Sequence, residues 1–165
     1  ISYMGQSDQL LPWANIKDNI TLGYKLRKEK FPKAMLDNLT RILKLTGFLN
    51  HLPKELSGGT KQRTALARTL IENKPIILMD EPFSSLDTIT KKNLRNLTKS
   101  LIRNRTLVLV THDIIEALEL SHQIIIFRGS PVKVHKVFKL DNSTADKKNN
   151  DITIDNYNNI LKALI

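Results

Sequence analysis

The chain has 165 residues, of which 41% are hydrophobic and 25% charged, enough for one globular domain with a buried core. It contains no cysteine, which excludes disulfide frameworks and thiolate metal sites, and no apolar run reaches the roughly 18 residues that a bilayer-spanning helix needs. The net charge of +10 comes from scattered lysines and arginines, and only 5% of the residues are aromatic, so a nucleic-acid partner is not expected.

The first predicted elements are a short strand and a helical region. Residues 1–4 have the pattern of a strand, and a polar loop containing Gln6 follows. Residues 10–13 form an apolar cluster, Leu-Leu-Pro-Trp, which is either an exposed anchor for another protein or part of the local core. Leucines recur at helical spacing through residues 31–46, and Gly47 is predicted to cap that helix in the left-handed conformation.

The rest of the chain alternates strands and helices. The predicted strands are Ile76–Asp80, residues 106–111 and Gln123–Arg128. The predicted helices start at the N-cap Ser57 and cover residues 88–104 and 113–121. Short apolar strands alternating with helices predict a parallel α/β sheet that helices cover on both faces.

The end of the chain is predicted to differ from this pattern. Residues 132–140 are expected to form an antiparallel edge strand, and residues 141–151 a polar linker. A closing amphipathic helix is predicted from the apolar residues Tyr157, Ile160, Leu161 and Leu164.

Two stretches carry chemistry. Ser57-Gly58-Gly59 at a predicted helix start offers free backbone N–H groups at the positive end of a helix, which is a receptor for phosphate. Downstream, an apolar strand ends in Asp80 and Glu81. A carboxylate at the end of a parallel strand can hold Mg²⁺, and a second one can polarise an attacking water.

In this order the two stretches resemble the signature motif and the Walker B motif of ATP-binding-cassette (ABC) ATPases. The resemblance covers the chain from Tyr3 to about Phe127. It implies a P-loop NTPase-type fold, in which a parallel sheet is flanked by helices and accompanied by a small helical subdomain at about residues 14–73. Residues 1–140 would then be the C-terminal part of an ABC ATPase domain, and residues 141–165 a polar linker with a C-terminal amphipathic helix.

The resemblance also implies roles for single residues. Asp80 would be the Walker B aspartate and Glu81 the general base for ATP hydrolysis. Gln6 resembles the Q-loop glutamine, whose amide oxygen joins the Mg²⁺ shell, and His112 resembles the switch histidine. Without the family context, each of these two would be read as an ordinary loop or cap residue.

Other residues are implied to act across a subunit interface. In this family Ser57, Gly58 and Gly59 contact the γ-phosphate of ATP bound to the opposite subunit. Asp87, in Ser85-Leu86-Asp87, matches the D-loop that crosses the interface, and it also suits the N-cap of the next helix. The resemblance therefore implies a second ABC ATPase subunit, in a homodimer.

The short separation between Gln6 and Ser57 favours a transporter subunit, because chromosome-organising and recombination ATPases insert a long coiled coil there. The implied partners are transmembrane permease subunits, docking near Leu10, Leu11 and Trp13, and a substrate-binding protein. The location implied is peripheral, on the cytoplasmic face of the cell membrane. Leu-Leu-Pro-Trp resembles the nitrate, sulfonate and taurine group of bacterial importers.

One motif of the family is missing. Gly-x-x-x-x-Gly-Lys-Ser/Thr, the Walker A phosphate loop, occurs nowhere in the 165 residues, and in this family it lies upstream of the Q-loop. The chain also begins at Ile1, so an N-terminal truncation is expected, with no ATP hydrolysis by this chain alone. Two alternatives stay open: a non-catalytic remnant, and a soluble ABC-type ATPase that acts on nucleic acid or the ribosome.

Overall fold

The computed structural model describes residues 1–140 and 150–164, with only the backbone at residues 150–153. The chain forms two compact units, Ile1–Val110 and Thr111–Ile165. The strands and helices, in chain order, are β1 (Ser2–Met4), α1 (Ile16–Ile20), α2 (Leu22–Leu26), α3 (Lys33–Ile42), α4 (Gly58–Ile71), β2 (Ile76–Asp80), α5 (Thr88–Leu101), β3 (Thr106–Val110), α6 (Ile114–Leu120), β4 (Gln123–Arg128), β5 (Lys133–Lys139) and α7 (Asn150–Leu164).

The first unit is built on a three-stranded parallel sheet with the order β1-β2-β3. Leu78 is in register with Tyr3 on one side and with Val108 on the other, and Asp80 pairs with Val110. The predicted parallel sheet is therefore confirmed. Strand β2 has the predicted bounds, and β3 is one residue shorter than the predicted strand over residues 106–111, because it ends at Val110.

One face of this sheet forms the core. Met4, Ile77 and Met79 are buried, and α4 packs against β1. On the opposite face Tyr3 is 57% exposed and Val110 57% exposed. The prediction that helices cover both faces is wrong for the part of this unit that the structure describes, because side chains of one face remain in contact with solvent.

The helix predicted over residues 31–46 is shorter, and Gly47 is not its cap. Helix α3 ends at Ile42, and Lys44 takes the left-handed conformation with φ of 54°. The N–H of Lys44 donates to the Arg41 carbonyl (3.1 Å), and the next N–H, that of Leu45, donates to the Thr40 carbonyl (2.7 Å). This is the Schellman arrangement, with lysine where glycine is usual.

The starts of the next two long helices are as predicted. Ser57 is the N-cap of α4, and its side chain accepts from the Thr60 N–H. Asp87 is the N-cap of α5, and its side chain accepts from the N–H groups of Ile89 and Thr90. Helix α5 ends at Leu101, before the predicted residue 104.

The second unit contains a two-stranded sheet in which β4 pairs with β5 in antiparallel fashion. The predicted antiparallel strand after residue 131 is thus confirmed as β5. Strand β4 does not continue the parallel sheet, because within the described residues its strand partner is β5.

Helix α7 contributes to the core of the second unit. Ile160 is 3% exposed and Ala163 8% exposed, and both pack with Ile126 of β4. Tyr157 is 36% exposed and Leu161 38% exposed, so the buried stripe differs from the predicted one. The predicted linker lies mostly outside the described residues. Among the described residues, none of the helices has the length and apolar character to span a bilayer.

Candidate functional site

The Ser57-Gly58-Gly59 segment starts α4 in the geometry expected of a helix cap. The Ser57 Oγ accepts from the Thr60 N–H (3.3 Å) and lies 2.9 Å from the Thr60 Oγ1. A Cβ at Gly58 would meet nothing within 4 Å, so that face of the backbone is open to a ligand. A Cβ at Gly59 would lie 3.0 Å from Cγ2 of Thr90, so Gly59 permits close packing of α4 against α5.

The two carboxylates of Asp80 and Glu81 lie at the carboxyl end of β2. Asp80 is the last residue of the strand and is half-buried. Glu81 has φ of 48°, a left-handed conformation that is costly for a residue other than glycine and that often marks functional sites. The Glu81 N–H donates to the Val110 carbonyl (2.8 Å), which ties this turn to the end of β3.

A cleft of about 630 Å³ brings together Gln6, Asp80 and Gly58. All of its other lining residues carry polar side-chain groups: Tyr3, Ser7, Asp8, Gln9, Gln62, Ser84 and Ser85. Glu81 is not among the residues that line it. The structure thus joins three of the predicted site residues at the carboxyl ends of β1 and β2, where ligands of parallel α/β sheets bind.

A second cleft, of about 760 Å³, is lined by Ser57, Gly58 and Gly59 together with Asp87. Gly58 therefore borders both clefts. The pKa of the Asp87 carboxyl is held below its ordinary value by the hydrogen bond from the Thr90 side chain and by further bonds from backbone N–H groups. Asp87 is consequently a charged group at neutral pH beside the start of α4.

His112 lies in the second unit, whereas the other predicted site residues lie in the first. It is exposed and immediately precedes Asp113, the N-cap of α6. The role of His112 stays a prediction.

The predicted docking residues have different environments. Leu10 is 9% exposed and belongs to the core, so its assignment to a docking surface is wrong. Trp13 is 76% exposed, and Leu11 is intermediate. The core alternative therefore holds for Leu10, and docking of a partner at the exposed Trp13 stays a prediction.

Comparisons with known proteins decide the family. The family profile described as ABC transporter matches residues 1–84, about half of the chain. The uncharacterized ABC transporter ATP-binding protein YtlC of Bacillus subtilis (strain 168) is 42% identical over 149 residues, covering 88% of this chain and 57% of that protein. The chain belongs to the ABC transporter family.

Other relatives of this ABC chain are named for import. The aliphatic sulfonates import ATP-binding protein SsuB of Bacillus cereus is 37% identical, over 83% of this chain and 55% of that protein. The chain thus spans about half the length of the curated relatives it matches.

Solved structures of ABC cassettes share the fold. The ATP-binding cassette MJ0796, in a dimeric post-hydrolysis state bound to ADP and Pi, matches with a TM-score of 0.70 and 31% identity. The match covers 84% of this chain and 62% of that one. The α/β fold with a parallel sheet and flanking helices is therefore that of an ABC cassette.

Three polar side chains hold the motifs of this ABC chain in place and were not identifiable as such from the sequence. Gln62 of α4 is buried and donates from Nε2 to the carbonyl of Pro82, the residue after Glu81. Arg68 of α4 donates to main-chain oxygens of the loop that contains Gln6. Asn19 of α1 bonds both the N–H and the carbonyl of Leu11. No local sequence pattern predicts the hydrogen bonds of Gln62 and Arg68, because their partners lie 20 to 60 residues away.

The residues of the first cleft fit a magnesium ion that a nucleotide helps to hold. The described residues contain no cluster of three or more His, Cys, Asp or Glu side chains that could hold a metal. Magnesium rarely uses such a cage and instead takes one or two carboxylates with water and substrate phosphates. The Asp80 carboxylate and the Gln6 amide, both lining the first cleft, supply that kind of partial oxygen set.

Proposed function

We propose that the chain is part of the ATP-binding and ATP-hydrolysing subunit of an ABC transporter, and that this transporter is a bacterial importer. The observation that carries the proposal is the cleft shared by Gln6, Asp80 and Gly58. The carboxylate of Asp80 and the amide of Gln6 supply the oxygen donors that Mg²⁺ takes together with the phosphates of a nucleotide, and Gly58 borders this cleft at the start of α4. Family membership and the relatives named for import support it.

The proposed roles of the site residues follow from the chemistry of their side chains. Bound Mg²⁺ supplies Lewis-acid polarisation of phosphate oxygens. Asp80 and Gln6 hold it through a carboxylate and an amide oxygen. Glu81 withdraws a proton from the attacking water, and His112 donates a hydrogen bond to a phosphate oxygen.

The second cleft is proposed to face another ATPase subunit. Ser57 and Gly58 are exposed, and their backbone N–H groups at the start of α4 favour an anion. In the proposed homodimer the Ser57-Gly58-Gly59 segment contacts the γ-phosphate of ATP held by the opposite subunit, and Asp87 lies at the interface. The dimeric state of two matching cassette structures supports this arrangement.

The permease is proposed to dock on Leu11 and Trp13. An indole that is 76% exposed is a suitable anchor for a hydrophobic pocket of a partner. Docking would hold the subunit peripherally at the cytoplasmic face of the cell membrane, in a complex that includes a substrate-binding protein. The relatives named for aliphatic sulfonates support a substrate of that class.

The proposed activity needs a phosphate loop that the 165 residues do not contain. Tests of it therefore use the full-length protein, meaning this chain together with the segment that carries that loop. A gene without such a segment would support the alternative of a non-catalytic remnant.

Replacing Glu81 with glutamine tests the proposed activity. The variant keeps the side-chain shape but loses the base, so ATP turnover is expected to fall by about 10²- to 10⁴-fold while ATP binding is kept. Turnover is measured by phosphate release, and binding by equilibrium titration with ATP. The matched control is Glu29→Gln, an exposed glutamate outside both clefts, and it should turn over normally. Unchanged turnover in Glu81→Gln would remove Glu81 as the base.

A further inference from the structure

Arg68 connects α4 to the loop that contains Gln6. Its Nη2 donates to the Asp8 carbonyl (2.6 Å), and its Nη1 donates to the Gln9 carbonyl (2.8 Å). Burial lowers the pKa of this guanidinium and the Asp8 carboxylate opposes that shift, yet arginine remains protonated at neutral pH. The fork of one guanidinium thus binds two consecutive carbonyl groups.

Those two carbonyls flank an unfavourable backbone conformation. Gln9 has φ of 47°, in the left-handed region that a residue with a side chain adopts only when its surroundings enforce it. Arg68 holds the peptide groups on both sides of Gln9. In the same turn the Asp8 carboxylate accepts a hydrogen bond from the Leu10 N–H (3.0 Å).

The conformation of Gln9 in turn affects the surroundings of Gln6. A Cβ added to Gly5 would lie 3.1 Å from Nε2 of Gln9, so the Gln9 side chain lies directly over the residue before Gln6. Gln6 and Gln9 line the same cleft as Asp80. A change in the backbone of Gln9 would therefore shift the side of the cleft that carries the Gln6 amide.

Helix α4 makes comparable bonds to the neighbouring segments. Thr69 Oγ1 donates to the Tyr3 carbonyl (3.3 Å), and Gln62 donates to the Pro82 carbonyl. The helix that begins at Ser57 thus holds the ends of β1 and β2 from one side, and Arg68 is its contact with the Gln6 loop.

We propose that Arg68 is a positioning residue for Gln6, acting through the backbone of Asp8 and Gln9. The proposal rests on the function proposed above, in which the Gln6 amide helps to hold Mg²⁺. It goes further because it makes the Mg²⁺ concentration that the site requires depend on Arg68, a residue that does not line the cleft.

The test compares Arg68→Lys with Arg105→Lys in the full-length protein. Arg105 is a matched control because it also binds residues near the end of α4, through the Leu70 carbonyl (3.4 Å) and the Asn73 Oδ1 (2.9 Å), without touching the Gln6 loop. Lysine keeps the charge but cannot bind two carbonyls with one planar fork.

Two measurements are made on each variant. Amide hydrogen exchange over residues 5–11 should be about tenfold faster in Arg68→Lys and unchanged in Arg105→Lys. The Mg²⁺ concentration for half-maximal ATP turnover should rise about tenfold in Arg68→Lys alone, as expected when a residue that supports a metal ligand is lost. Gln6→Ala should raise it as well, and adding Arg68→Lys to Gln6→Ala should raise it no further.

The outcomes separate this proposal from the proposed function. Wild-type exchange in Arg68→Lys, or a full additional effect of Arg68→Lys in the Gln6→Ala protein, would overturn the positioning role. Full turnover in Glu81→Gln would instead overturn the assignment of the base and leave the exchange result intact. If Arg68→Lys does not fold, Arg68→Gln is used, since its amide group can donate to one of the two carbonyls but not to both as the guanidinium does, and it should give the same faster exchange and the same rise in Mg²⁺ requirement.

Discussion

Replacing Asn19 with aspartate is expected to destabilise the protein strongly at neutral pH and much less in mild acid. Asn19 is fully buried, at 0% exposure, and its Oδ1 accepts from the Leu11 N–H (2.7 Å). Its Nδ2 donates to the carbonyls of Leu11 (3.1 Å), Ala14 (2.9 Å) and Asn15 (3.1 Å). Aspartate keeps the first bond but places an oxygen atom opposite three carbonyl oxygens, so the folded variant is expected to keep this carboxyl group protonated.

The magnitude follows from the proton that the folded state must hold. The pKa of an unfolded aspartate is about 3.9, and each pH unit above it costs about 1.4 kcal/mol when the folded state stays protonated. The expected loss of unfolding free energy is therefore about 4 kcal/mol at pH 7 and about 1.5 kcal/mol at pH 5. The sign is set by the folded state, which binds more protons than the unfolded state, so the stability of the variant falls as pH rises.

Urea denaturation of the full-length protein measures this difference, followed by circular dichroism and by tryptophan fluorescence, because coincident transitions justify a two-state treatment. Asn38→Asp is the control: Asn38 is exposed, and its Oδ1 accepts from Arg41 (2.9 Å), so the same change in charge should cost little. The reasoning is refuted if the two variants differ by less than about 1 kcal/mol at pH 7, or if their difference does not shrink towards pH 5.

Three further predictions concern local geometry and are measured by the same denaturation experiment. Lys44→Gly should stabilise the protein by about 0.5–1 kcal/mol, because glycine adopts a φ of 54° without strain. The flexibility of glycine in the unfolded chain offsets part of this gain. A loss of stability would contradict the prediction. Gly59→Ala should lower the free energy of unfolding by about 1 kcal/mol more in the wild-type background than in a Thr90→Ser background. The reason is that threonine, unlike serine, carries the Cγ2 that lies 3.0 Å from the new Cβ. Equal losses in the two backgrounds would show that the contact relaxes freely. Asp87→Asn should destabilise the protein at neutral pH. The lowered pKa of Asp87 means that its stabilisation is fully present above the unfolded pKa of about 3.9 and is lost as the pH falls through the folded one, so the deficit should begin to shrink near pH 4 and disappear only below the folded pKa. A deficit independent of pH would contradict this.

The parts of the fold that depend on neighbouring residues could be predicted from the sequence. The apolar run that stops at Asp80 set both ends of β2 correctly, and Ser57 and Asp87 are caps because a side-chain oxygen there can reach the N–H groups two or three residues on. Local reasoning was wrong for Gly47, where glycine was available but α3 ended earlier and Lys44 took the left-handed position.

The parts that depend on distant contacts could not be predicted. Leu10 and Trp13 are both apolar and lie three residues apart, yet one is buried and the other is exposed. Arg68 is an ordinary helix residue in the sequence, and only the tertiary structure brings it to carbonyls 59 and 60 residues away. The three-dimensional arrangement of the cleft could therefore be proposed by resemblance, whereas the side chains that support it could not.

The backbone of Glu81 has a consequence for how this position would respond to selection. With φ of 48°, glycine is the residue that the backbone favours there, whereas the proposed chemistry needs a carboxylate. A saturation library of the full-length protein sorted for folding should therefore enrich Glu81→Gly, and the same library sorted for transport should deplete it. Opposite enrichment at a single codon would report a conflict between stability and activity, and it requires no purified protein.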